Sequence, residues 1–588
     1  MPSEQFDMVC LGGGVAAGYW AEEVVSLLKV AATQPGFVKP KMCIISAYPD
    51  GLVPYERSEL SKDCLRPSNL HLRDWQAWGN KTFPYTSSGN GREKRNARWY
   101  RDKGVTMLSG CECYEVDVDA STLKLLQASK PEAHMHTART RAKAKEIKVK
   151  YGNLLIATGS TPRRLHGDRE SACFCVRHVD MRGPRIERQE SYGLGSAHYL
   201  RDLGDCIKLV KALGTPPPWV GSGDAGAGAG EAGDANTVAL VGGGLLCIEV
   251  AAAIATHYPG VQPLLLMSGS QLMPGFFSQE MSDFYEQYLV AAGVAIEKDV
   301  TGERLWGLEE QGEFETLAGN RVHFGPAPRG FTECRGVVLR SRGGRVIHVP
   351  ARVVLVGIGT VPNSELFRGQ LKTSEDGGIC VDPHCRALLP AKAGDARGAG
   401  ISPVFAAGDV ATYPLALENS RQVRHEHVQN ARDMAVVAAR NMVGSMLDEG
   451  GGGEGGSDVI KGYDIDGGGR LPVYHPVPGF SSRFLDLSWR FYGIAEGEVV
   501  VLGAADFPTT RTFGAFWVRG ERVVGAFLEG GTVEQQVAVA QVTRLRPKVF
   551  TPRLLKDSQL GDFLEDPGSI EASDESDLSQ LLMCCRCV

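Results

Sequence analysis

The ten residues from Val423 to Arg432, VRHEHVQNAR, hold two histidines, a glutamate and two arginines. Residues of these types could ligate a metal, bind an anion, or do neither and start a charged helix. A zinc-protease helix needs H-E-x-x-H, which sets both imidazoles on one face, one turn apart. Here Gln429 stands where the second histidine would be. His425 and His427 are two apart, a spacing that does not bring side chains together on a helix. No ligand set of metal-site spacing accompanies them. A metal is therefore not expected, and the choice between anion site and charged helix falls to the rest of the chain.

Glycines with a defined spacing carry more information. Gly12, Gly14 and Gly18 read G-x-G-x-x-x-G directly after the apolar run FDMVCL, with a helical pattern behind them. Such a turn lets backbone approach a pyrophosphate, and the helix start offers N–H groups and a positive dipole. A second unit, TVALVGGGLLCIEVAAAIATH, repeats the grammar with Gly242, Gly243 and Gly244. Cys247 occupies its third fingerprint position, where close helix–strand packing asks for a small residue, and Glu249 follows. A carboxylate usually follows the next strand to hold a ribose hydroxyl. After KMCIIS come Ala47 and Tyr48, with Asp50 the nearest candidate. After PLLLM come Ser268, Gly269 and Ser270, which hold neither a carboxylate nor an arginine, so charge does not choose between NADH and NADPH. Two more strands end in small-residue turns, LLIATGS and VFAAGDVA. Asp409 in the latter can accept hydrogen bonds from a ribityl chain, or cap a helix.

These turns need parallel strands to position them. Strand–helix alternation predicts an α/β fold with two Rossmann-like dinucleotide-binding domains. After Tyr474 the pattern shifts to short β-rich pieces, RFLDLSWRFYG, EVVVLGA and TFGAFWVRGERVVGAFLEGG, followed by TVEQQVAVAQVTRL. That predicts a C-terminal α+β domain with an antiparallel sheet and a final helix. The expected division is 1–200 with 360–447 for the first nucleotide domain, including a charged insertion at about 161–193. The second nucleotide domain takes 201–359, with a Gly/Ala-rich loop at 214–236. A Gly-rich linker at 448–469 leads to the C-terminal domain at 470–555, and an acidic, cysteine-rich tail fills 556–588.

The chain has 588 residues, 43% hydrophobic and 22% charged, with a net charge of -6. That balance gives no reason to expect nucleic acid. Its 15 cysteines are too dilute and irregular for a secreted disulfide scaffold. Cys584, Cys585 and Cys587 read as an incidental thiol cluster. No C-x-x-C or C-x-x-x-x-C follows the first glycine unit, which argues against disulfide-reductase chemistry. The apolar run from Val238 contains three glycines and Glu249 and reads as strand–turn–helix, so no transmembrane segment is expected. The first strand pattern begins at about residue 6, leaving no room for a targeting peptide before it. Arg586 spoils the prenylation box suggested by CRCV. A cytoplasmic location is the expectation, and the oligomeric state is open.

The order of motifs resembles the two-dinucleotide flavoprotein reductases, and most nearly the plant-type monodehydroascorbate reductases. The residues that narrow it are VPYERSELSKDCL, YLRDLGDCIKLVKAL, EHVQNAR, SSRFLDLSWRFYG and FLEGGT, with GIGTVPN between them. The resemblance covers most of residues 5 to 550. It implies bound FAD, a site for NADH or NADPH, and reduction of a small molecule, the monodehydroascorbate radical. By position it assigns FAD to Gly12, Gly13, Gly14, Val15, Ala16, Ala17, Arg57, Lys62, Cys113, Arg201, Asp202, Asp409, Glu426, His427 and Val428. It assigns the nicotinamide nucleotide to Gly243, Gly244, Leu245, Leu246, Cys247, Ile248, Glu249 and Gly359. The substrate is assigned to Arg432 and Arg483, whose planar forks suit anionic oxygens. His425 and Arg424 then lose any claim to chemistry and are expected at the surface. The chain departs from the family at Ala47 and Tyr48, at Cys247, at Gly269 and Gly275, and at Ser481, where an aromatic is usual. Two rivals stand beside this reading: a reductase of ferredoxin-type or rubredoxin-type carriers, and a flavin-bound redox sensor with vestigial activity.

Overall fold

The computed structural model describes residues 3–33, 37–48, 53–68, 95–128, 144–165, 197–214, 236–306, 310, 312–324, 336–390, 403–449 and 471–546. Asp50, the C-terminal cysteines, the tail, and nearly all of the insertion, the Gly/Ala-rich loop and the Gly-rich linker lie outside them.

The first sheet is built around the strand Ser3–Leu11. Met42–Ile45 and Lys145–Ile156 pair with it in parallel on either side. Val105–Leu108 extends the sheet beyond Met42–Ile45, and Val404–Ala406 lies along the far end of Lys145–Ile156. The register brings the strand ends level: Leu11 stands opposite Ile45 and Ile156, and Ile156 opposite Ala406. Carboxyl ends of parallel strands are where open α/β sheets receive ligands. The helix Val15–Ala31 buries Ala16, Ala17, Trp20, Ala21, Val24 and Val25 against this core. It also packs beside the long helix Val428–Glu449, whose Ala431, Ala435, Ala438 and Ala439 are buried. Small side chains on that helix let the two approach closely.

The second sheet is parallel throughout, in the order Ala295–Glu297, Gln262–Leu266, Thr237–Val241, Val353–Val356, Ala197–His198. Ala197–His198 pairs with Val353–Val356 and so belongs to this sheet, whereas the expected boundary at 201 had left it with the first. A three-stranded antiparallel sheet, Val300–Trp306, Gly336–Ser341 and Val346–Pro350, covers it through Val337, Leu339, Ile347 and Val349.

The third sheet has five antiparallel strands, in the order Gly479–Phe484, Leu487–Gly493, Arg522–Glu529, Phe513–Arg519, Glu498–Leu502. The final helix, Val533–Leu545, follows as expected, started by a capping box between Thr532 and Gln535. Phe276 enters the aromatic face of this sheet, stacked on Trp517 at 5.7 Å and edge-on to Phe491 at 4.8 Å.

Candidate functional site

The aligned ends of the first sheet open into a cavity of about 1060 Å³. Gly12 sits at its base with φ +133, and a Cβ there would lie 2.1 Å from the carbonyl oxygen of Ala157. A Cβ on Gly13 would meet the Ser46 hydroxyl at 2.2 Å. No side chain caps the helix that starts after Gly14, so its first N–H groups remain available to an anion. Above Gly14 lies Arg57, which donates to the Tyr48 hydroxyl at 2.7 Å while its Nε is buried with no hydrogen-bond partner among the described residues. Burial opposes the charge of Arg57, but Tyr48, Tyr55, Asp202 and Asp409 outweigh it and raise the pKa. Tyr48 thus fills, as an apolar wall with one hydroxyl, the place after the second strand where a carboxylate is usual.

Farther along the wall, Arg201 donates to Asp409 at 2.8 Å, and Ser160 donates to the same oxygen at 3.1 Å. Asp409 caps no helix, because the strand Ala411–Leu415 follows it. Asp205 accepts from the Arg201 and Asp202 N–H groups at 3.0 and 3.2 Å, and Asp202 accepts from the Asp205 N–H at 2.9 Å. Burial, then the neighbouring Asp202, push the Asp205 carboxyl up to about 7.

The second glycine unit meets the first at Glu249. Its carboxylate is buried, with Lys62 3.0 Å from one oxygen. Ser482 of the third sheet donates to that oxygen at 2.6 Å, and Ser61 donates to the other. One carboxylate, on the helix Leu245–His257, therefore joins the turn holding Ser61 and Lys62 to the third sheet. Cys247 stands without strain because Gly357 faces it: a Cβ on Gly357 would lie 2.6 Å from the thiol. Among the described residues nothing lies within 4 Å of a Cβ added at Gly269 or Gly275.

VRHEHVQNAR runs from the strand Arg421–Val423 into the helix Val428–Glu449. Glu426, His427 and Val428 line the cavity. His427 accepts from the Gln429 N–H at 3.2 Å through Nδ1, so its neutral ring carries the proton on Nε2. Burial, then Arg432, lower its pKa to about 4. Arg424 and His425 are not surface residues. Arg424 pairs with Asp376 at 2.6 Å and with Glu426, and donates to the Asp409 carbonyl at 3.1 Å. His425 meets the Tyr413 hydroxyl at 2.6 Å. The turn folds over Asp409, and these two side chains pin it there.

Most of the sequence-assigned residues converge. Gly12 to Ala16, Arg57, Lys62, Cys113, Arg201, Asp202, Leu245, Glu249, Asp409 and Glu426 to Val428 all line the one cavity. Ala17 faces the helix core instead, and Cys247 and Ile248 are buried behind the second turn. Gly243, Gly244, Leu246 and Gly359 lie off the cavity wall, although Ile358 and Val361, which flank Gly359, are on it. The two arginines stand apart from the wall. Arg432 is 28% exposed, pairs with Glu56 and covers the Tyr19 ring at 5.4 Å. Arg483 is 56% exposed and reaches Glu59 at 3.2 Å and Asp63 at 3.6 Å. Sequence reading missed Glu56, Ser61 and Ser482. Glu56 and Ser61 lay inside the quoted PYERSELSK, beside Arg57 and Lys62, but nothing in the motif marked them as partners.

Residues 6–435 match the model of the pyridine nucleotide-disulphide oxidoreductases. The chain belongs to that family. Residues 477–562 match the model of the monodehydroascorbate reductase 3-like C-terminal domain. A monodehydroascorbate reductase of Cucumis sativus is 30% identical over 560 residues, covering 94% of this chain and 98% of the relative. One of Solanum lycopersicum is 29% identical, with coverage of 95% and 98%. A peroxisomal one of Oryza sativa subsp. japonica is 30% identical, with coverage of 93% and 86%. The fold is shared with a putidaredoxin reductase in complex with putidaredoxin, at a TM-score of 0.60 and 19% identity over 99% of this chain and 98% of that one. These relatives bear out the resemblance read from the motifs. The protein is an FAD- and NAD(P)H-dependent oxidoreductase. The glycine cradle, the uncapped helix start and the buried guanidiniums are what a dinucleotide requires. Cys111 and Cys113 line the wall, and burial pushes each thiol up to about 12, which disfavours the thiolate. No helix among the described residues is long and apolar enough to cross a membrane.

Proposed function

We propose that this oxidoreductase reduces the monodehydroascorbate radical to ascorbate at the expense of NADH or NADPH. The observation that carries the reading is the third sheet. The segment matched to the monodehydroascorbate reductase C-terminal domain is the one that brings Ser481 onto the cavity wall and Ser482 onto Glu249.

FAD, when bound, supplies a ring that takes a hydride from the nicotinamide and returns electrons singly, which a one-electron acceptor needs. The chain's own residues do the rest. Gly12 to Ala16 and Arg57 would hold the pyrophosphate, and Asp409, itself held by Arg201, would accept from ribityl hydroxyls. Glu249 fixes Lys62 at the wall, with Leu245 beside it where the nicotinamide nucleotide enters. Glu426, His427 and Val428 close the cavity on the side of the long helix, and His427 presents a neutral N–H there.

The substrate is an anion, and Arg432 and Arg483, although off the cavity wall, are the cations we assign to attract it. Arg432 is paired with Glu56. An incoming anion must compete with that carboxylate. Arg432→Ala is therefore expected to raise the KM for the radical about tenfold, as loss of a charge-assisted hydrogen bond does. Glu56→Gln is expected to lower it. Flavin reduction by NADH should change in neither variant. Slow flavin reduction in Arg432→Ala, or an unchanged KM in both, would reject these roles.

A further inference from the structure

Adenosine-binding folds of this kind usually hold the ribose through a carboxylate after the second strand. Here that strand is followed by Ala47 and Tyr48, and both line the cavity. The strand Cys111–Asp117, which pairs with Thr122–Gln127 at the other edge of the sheet, starts alongside them. Gly110 N–H donates to the Tyr48 carbonyl at 2.7 Å, and Cys111 N–H to that of Ser46 at 2.9 Å. The next residue, Glu112, lines the cavity at this end.

A second carboxylate comes from the short 3-10 turn Glu365–Phe367. Asn363 ties that turn to the first sheet, donating to the Thr158 carbonyl at 2.9 Å. Gln370 ties it to the strand of Glu112, accepting from the Val118 N–H at 2.9 Å and donating to the Val116 carbonyl at 2.9 Å. Glu365 lines the same cavity, and its Oε2 is shielded from solvent with no hydrogen-bond partner among the described residues. A shielded carboxylate oxygen is costly without a donor. The donors that adenosine offers are its ribose hydroxyls and its amino group.

We propose that Glu112 and Glu365 together grip the adenosine half of FAD, replacing the carboxylate that the second strand lacks. The inference rests on the FAD-binding reading, which a flavin spectrum in the purified wild-type protein checks separately. The test follows flavin release from the holoenzyme by the rise in flavin fluorescence after dilution. Glu112→Gln and Glu365→Gln should each release flavin about tenfold faster than wild type. Adding Ala47→Glu to either variant should slow release again, because it restores a carboxylate where the second strand ends. Release at the wild-type rate in both single variants would overturn the proposal. Fast release that Ala47→Glu does not slow, with a lowered melting temperature of the flavin-free protein, would overturn it too, since it would mark a packing role.

Discussion

Replacing Glu249 by alanine should destabilise the protein by about 3–5 kcal/mol, the cost of leaving one member of a buried ion pair alone. Lys62 is only 14% exposed at its side chain and Glu249 only 6%, so solvent cannot take over the vacated role. Two hydroxyls, Ser61 and Ser482, would lose their acceptor at the same time. Because these groups come from a turn, a helix and the third sheet, far apart in sequence, the loss should not stay local. The C-terminal sheet should loosen from the nucleotide-binding part, and flavin reduction by NADH should slow as Lys62 loses its fixed place. Denaturant unfolding of the holoenzyme measures the first effect, and stopped-flow bleaching of the flavin absorbance the second. A variant within about 1 kcal/mol of wild type, the size of an ordinary surface change, would show that the cluster does not hold the sheets together.

The second large effect is expected at Gly12. Its φ of +133 is closed to other residues, and an added Cβ would lie 2.1 Å from the Ala157 carbonyl oxygen. The turn and the Leu154–Ile156 strand end would have to part, which would widen the cradle we assign to the pyrophosphate. Backbone strain alone costs about 1–3 kcal/mol, so Gly12→Ala should lower flavin affinity by about tenfold or more. Gly269→Ala is the matched control: its added Cβ meets nothing within 4 Å. Flavin content per chain after purification reads both. Equal content in Gly12→Ala and wild type would mean that the turn does not carry the cofactor.

The contrast between these two glycines shows what a sequence can convey. Spacing after a strand was enough to place Gly12 at a nucleotide turn, and the change from strand–helix alternation to aromatic strands was enough to foresee the third sheet. Local signals of this kind arise from backbone geometry within a few residues. The charges were less legible. Glu249 could be assigned to a nucleotide turn, but its partner Ser482 lies 233 positions away, and nothing near either residue announces the other. Arg424 and His425 looked like surface residues because their partners, Asp376 and Tyr413, arrive through the fold. Arg432 was read as a cation open to substrate, whereas Glu56, 376 positions earlier, already occupies it. Cys247, a small residue expected to fit its turn with some strain, finds room because Gly357 lies across from it.

The central claim is that electrons pass from a nicotinamide through this cavity to an organic radical anion. Its most direct test generates the monodehydroascorbate radical with ascorbate oxidase and follows oxidation of NADH, then of NADPH, with ferricyanide as a nonspecific acceptor. The account predicts nicotinamide oxidation that starts with the radical, saturates with it, and stops when ascorbate oxidase is withheld. Rapid turnover with ferricyanide but none that depends on the radical would contradict it.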